Sequence, residues 1–172
     1  GLWSIAPEVV LLAGSEYAGA TVVLQVLIFV LIPIFLDFPI GSLLNASDRQ
    51  STKTAIMGAT MVINVVLNIL LIPRFGILGA AFAANACFIS MFLLGMFFVP
   101  QIIPTYRFRH LLLTLAPIFL SGILMLMSVQ LMKPLVGWIA VMPLGAAVYM
   151  LALFITKALH KNDIVFLTNL IR

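Results

Sequence analysis

Asp37 is an acidic residue set inside a long apolar run, residues 18–44. A carboxylate at mid-bilayer costs about 3 kcal/mol, so its position asks for a reason. Two readings stand. About 20 residues counted from Tyr17 reach the membrane surface near Leu36, which makes Asp37 a headgroup-level residue. Alternatively it faces an aqueous cavity and binds a cation or proton. Asn64 and Asn68 lie four apart and share a helix face. Together with Gln25, Thr60, Asn85 and Ser90 they supply either interhelical hydrogen bonds, worth about 1 kcal/mol per pair, or a polar cavity wall suited to sugar hydroxyls. Arg107, Arg109 and His110 alternate with Tyr106 and Phe108. Such a basic, aromatic loop could grip a lipid-linked pyrophosphate at the inner leaflet, and it is also what membrane topology by itself demands. Arg74 reads as a surface cation and Cys87 as a small packing residue.

These groups do not assemble into a catalytic pattern. Two His and five acids are scattered over different segments, without metal-protease, nucleophile-elbow or phosphate-loop spacing. One cysteine excludes an internal disulfide framework. The sequence therefore predicts no enzyme, no metal and no cofactor.

The elements that must position these residues are membrane helices. Of 172 residues 64% are hydrophobic and 8% charged, and the mean hydropathy is +1.26. Soluble domains carry roughly a quarter charged residues, so lipid is the solvent here. The apolar runs predict an all-α polytopic membrane helical bundle. It has about five transmembrane helices, at 18–44, 54–72, 77–99, 111–132 and 135–156, in a membrane domain over 1–156. Residues 1–13, interrupted by Pro7 and Glu8, read as a truncated N-terminal helix. Residues 157–172 read as an amphipathic tail at the interface, with Ile164, Leu167, Leu170 and Ile171 on one face. Pro73 is expected to stop the second span and Gly76 to turn the chain into the third. Small residues four apart, Gly76, Ala80 and Ala84, predict a close-packing stripe. Lys133-Pro134 is expected to form the last turn, and Pro33, Pro39, Pro117 and Pro143 mark bends.

Alternating loops give the orientation. Arg49, Lys53, Arg107, Arg109, Lys157, Lys161 and Arg172 fall on one side, against Arg74 and Lys133 on the other. The basic excess assigns the first side, with the C-terminus, to the cytoplasm and the 73–76 turn to the outside. The same bias accounts for the +4 net charge without a nucleic-acid partner. The localisation that follows is a multi-pass protein of the plasma or inner membrane.

Three pieces carry a family resemblance. Ala13-Gly14-Ser15-Glu16-Tyr17-Ala18 is similar to a Gly-x-Glu-Tyr-Ala helix start. Leu43-Leu44-Asn45-Ala46-Ser47-Asp48-Arg49 resembles a cytoplasmic Leu-Leu-x-Ala-x-Gly-Arg/Lys turn, with Ser47-Asp48 in place of the usual Gly. Leu71-Ile72-Pro73-Arg74-Phe75-Gly76-Ile77-Leu78-Gly79-Ala80-Ala81 follows an Asn-containing helix. In this order they resemble the C-terminal half of polysaccharide and lipid-linked oligosaccharide flippases, of the multidrug/oligosaccharidyl-lipid/polysaccharide exporter superfamily, over roughly residues 10–100. The resemblance implies one lobe of a longer transporter that moves isoprenoid-linked glycan to the external leaflet by alternating access. Its partners would be membrane lipids, the lipid-linked glycan and the N-terminal lobe of the same transporter. The last two spans would correspond to a lipid-tail groove. A cation-coupled drug or metabolite antiporter of the same superfamily and a non-transporting membrane subunit are the alternatives.

Overall fold

The computed structural model describes residues 2–104, 106 and 108–156. Among them every regular element is helical: α1 (Leu2–Ala13), a 3-10 segment (Ser15–Ala20), α2 (Thr21–Ile28), α3 (Leu31–Ala46), α4 (Gln50–Phe75), α5 (Ile77–Ile102), α6 (Phe108–Val136) and α7 (Trp138–Ile155). Four stretches are long and apolar enough to cross a membrane: Ser15–Ala46, Gln50–Phe75, Ile77–Ile102 and Leu111–Pro134. At about 1.5 Å per residue, α7 adds a fifth apolar helix of about 27 Å. The surface is rich in large apolar side chains, Phe35, Phe97 and Leu131 among them, which lipid accepts and water would not. The protein is an all-α membrane helical bundle. The tail 157–172 and its amphipathic reading lie outside the described residues.

The chain forms two compact units, Val9–Tyr106 and Gly1–Glu8 with Arg107–Arg172. In the first, α5 is the common neighbour of α2, α3 and α4. Its core sits where α3 ends and α4 begins: Ile40, Leu44, Ile56 and Val99 are buried, with Phe92, Phe98 and Tyr106 packed around them. Burial there holds the Tyr106 phenol above its usual range, so it stays protonated.

The α4–α5 reversal differs from its sequence reading. Pro73 does not stop α4, which continues to Phe75; the stop is Gly76, at φ 58° and ψ −136°. That conformation is open essentially only to glycine. Pro73 is accommodated within α4 as Pro39 is within α3 and Pro143 within α7, since neighbouring helices in a membrane bundle can re-satisfy the carbonyl it frees. The close-packing position is also displaced. A Cβ added at Gly79 would lie 2.3 Å from the Leu71 carbonyl oxygen, whereas Gly76 has open space around it. Gly79 and Ala83 are buried, one turn apart, and Ala80 and Ala84 are only half-buried. Gly79 is therefore where the two backbones meet.

The run 15–46 is broken between α2 and α3. Around Phe29 the bonds shorten to i→i+3, Phe29 N to Val26 O and Val30 N to Leu27 O. Pro33 explains the break, since its ring excludes the carbonyl four residues earlier, that of Phe29. Asn85 of α5 covers the damage: its Nδ2 donates to Val26 O at 2.9 Å and to Ala81 O at 3.0 Å. Nearby, Cys87 Sγ approaches Thr60 O of α4 at 3.3 Å, a packing contact across helices. An Asn85→Leu substitution removes the donor that covers Val26 O and should cost about 1–2 kcal/mol. A thermal-unfolding midpoint equal to wild type would show that the break needs no cap.

In the second unit α6 runs through Lys133 and Pro134, and the reversal falls at Gly137 (φ 79°) instead of Lys133-Pro134. Gly145 of α7 admits Val129 of α6, whose Cγ2 would lie 2.8 Å from an added Cβ. Lys133 turns to α1, its Nζ 2.7 Å from Glu8 Oε1 and donating to Ser4 O at 2.8 Å.

Candidate functional site

Asp37, Ser42, Asn45 and Lys53 converge on a groove between α3 and α4, with α5 as its floor. At the helical period, Asp37, Gly41 and Asn45 repeat every four residues down one face of α3. Together with Ile34, Phe38 and Ser42 they line a cavity of about 430 Å³. Lys53 and Met57 line it from α4, and Phe88 and Met91 from α5.

Two glycines make room for the charges. The Lys53 ammonium lies over Gly41, where an added Cβ would be 3.4 Å from Nζ. Asp37 lies against Gly95, where an added Cβ would be 3.3 Å from Oδ1 and 2.9 Å from Ile40 Cγ2. The carboxylate and ammonium thus share one half-buried cavity without closing a direct ion pair. At the mouth, Arg49 Nη1 donates to Gln101 Oε1 at 3.2 Å, tying the start of α4 to the end of α5.

Each residue singled out in the sequence has a distinct place. Asp37 is in the groove. Asn64 and Asn68 are half-buried on α4 and bond to each other along their own helix: Asn68 Nδ2 donates to Asn64 O and to Asn64 Oδ1, both at 2.9 Å. Asn64 lies about three turns beyond Lys53, so the two share a face of α4. Arg109 is exposed at the start of α6; Arg107 lies outside the described residues. Among the described residues no cluster of His, Cys, Asp or Glu is arranged to hold a metal.

The chain is similar to a membrane protein. It is 31% identical over 128 residues to an uncharacterized membrane protein of Methanocaldococcus jannaschii, a match over 73% of this chain and 24% of that relative. The chain thus spans about a quarter of the relative's length. No protein-family model matches the chain, and no solved structure does. Apolar span-length helices and this similarity agree on a membrane protein.

Lys53 enters the sequence reading only as a loop cation, and Gly41 and Gly95 do not enter it. The polar run 45–53 reads as one long loop, but its turn is confined to Ser47–Arg49 and α4 begins at Gln50, so Lys53 is helical. The available signal was the four-residue repeat Asp37, Gly41, Asn45, which marks a polar face with a gap in it.

Proposed function

We propose that this chain is part of a membrane transporter that flips isoprenoid-linked oligosaccharide or polysaccharide units from the cytoplasmic to the external leaflet by alternating access. The observation that carries the reading is a cavity among the apolar helices of Val9–Tyr106 that both an acidic and a basic side chain line. Lys53, Asn64 and Asn68 follow one face of α4, and Asp37 stands across the groove from Lys53. Charges within a membrane domain are expensive and mark transport pathways. The resemblance of the 13–20, 43–50 and 64–83 pieces to polysaccharide flippases supplies the substrate class. The Lys and Arg asymmetry supports a cytoplasmic groove mouth and C-terminus. The reading assigns the chain no catalytic step and no nucleic-acid partner; the lipid-linked glycan and the remaining lobe of the same transporter are its partners. By the same charge asymmetry the reading makes Arg107 and Arg109 cytoplasmic residues available to a pyrophosphate.

The test is surface glycan display by full-length protein carrying Asp37→Asn or Lys53→Met, scored against membrane abundance. Display should fall about tenfold or more at unchanged abundance, since ~1.4 kcal/mol of lost stabilisation is already tenfold. Display at wild-type level in both variants rejects the groove as the path. Asp37 favours a second reading, a cation-coupled antiporter. There, extrusion of a cationic drug would depend on Asp37 while glycan display would not.

A further inference from the structure

We propose that the α3–α4 groove binds the headgroup of a zwitterionic aminophospholipid, with its phosphate on Lys53 and its ammonium on Asp37. This goes beyond the flippase reading and stands without it. Opposite charges in a medium of low dielectric attract strongly, yet Asp37 and Lys53 share a cavity without pairing directly. A lone metal cation would satisfy Asp37 and be repelled by Lys53; a lone anion would do the reverse. A ligand carrying both charges a few ångströms apart satisfies both through charge-assisted hydrogen bonds.

The groove's polarity is graded to match a lipid. Ser42 and Asn45 lie toward the α3–α4 turn, with Lys53 in the first turn of α4. Ile34, Phe38 and Met57 form the apolar walls. Phe38 is 76% and Met57 52% exposed, so these walls open to hydrocarbon and offer acyl chains a track. The ammonium of phosphatidylethanolamine can donate hydrogen bonds to Asp37, which the quaternary ammonium of phosphatidylcholine cannot.

The test measures lipid retention by full-length purified protein, using native mass spectrometry after exchange into equimolar phosphatidylethanolamine, phosphatidylglycerol and phosphatidylcholine. Wild-type protein should retain phosphatidylethanolamine about fivefold over each of the others. Asp37→Asn should bring the ethanolamine-to-glycerol ratio near one, and Lys53→Met should lower retention of all three. Equal retention of the three lipids by wild-type protein, or an unchanged ratio in Asp37→Asn, overturns the proposal. The wild-type comparison needs no variant, so a misfolded mutant does not shield it. Glycan display plays no part, so loss of the flippase reading would leave the result intact.

Discussion

Gly79→Ala is expected to disrupt the α4–α5 hairpin, with folded yield falling severalfold and stability by about 3 kcal/mol or more. Overpacking a core usually costs about 1–3 kcal/mol because side chains can shift aside. Here the obstacle is the Leu71 carbonyl, 2.3 Å from the new Cβ, with the Leu71 carbonyl carbon at 2.5 Å and Ile72 N at 2.9 Å. Backbone within a helix cannot step aside, so the helices must separate and lose many small dispersion contacts together. The matched control is Gly58→Ala on the partner helix α4, where an added Cβ meets nothing within 4 Å. That change should be neutral or stabilising by up to about 1 kcal/mol through helix propensity. Fluorescence-detected size exclusion and thermal unfolding of full-length variants compare the two. Equal behaviour would mean that the helices do not meet at Gly79.

Breaking the Glu8–Lys133 pair should have the next largest effect. The side chains are only 24% and 25% exposed, and Lys133 also holds the Ser4 carbonyl. Removing one partner leaves a poorly hydrated charge alone, a loss of about 3 kcal/mol for Lys133→Met or Glu8→Gln. The double variant leaves no unpaired charge and should be less destabilised than the sum of the singles by about 2 kcal/mol. Additive midpoints in the cycle would show that water, not the pair, solvates these groups.

What the sequence reveals and what it hides follow from the kinds of force involved. Scarcity of charge and long apolar runs announce membrane helices, because the cost of charge in lipid is a bulk property. The Asn64–Asn68 relation is legible as a shared face, since it depends only on the helical period. That Asn68 answers to Asn64 within its own helix is a rotamer choice, invisible in spacing. Small residues occupy several registers at the start of α5, and composition alone does not select Gly79 over Gly76, Ala80 or Ala84. The register is set by how α4 presents Leu71. Pro73 misleads for a related reason: a membrane helix accommodates proline inside it, as at Pro39 and Pro143, and the positive φ needed at Gly76 governs the stop. Lys53 was hidden by its neighbours, since Asn45, Ser47, Asp48, Arg49 and Gln50 blur the start of α4 into the turn.

The single-residue joint at Gly76 also bears on how the protein is made. α4 and α5 are separated by no loop that could wait in water while one helix settles, a geometry that favours entry of the two spans into the bilayer as a pair. Their contacts zip outward from the joint, beginning at Gly79 against Leu71, between positions very close in the chain. Such local closure costs little chain entropy and is fast. During synthesis the hairpin can thus be complete as soon as α5 leaves the ribosome, giving the upstream helices α2 and α3 a finished surface on which to dock.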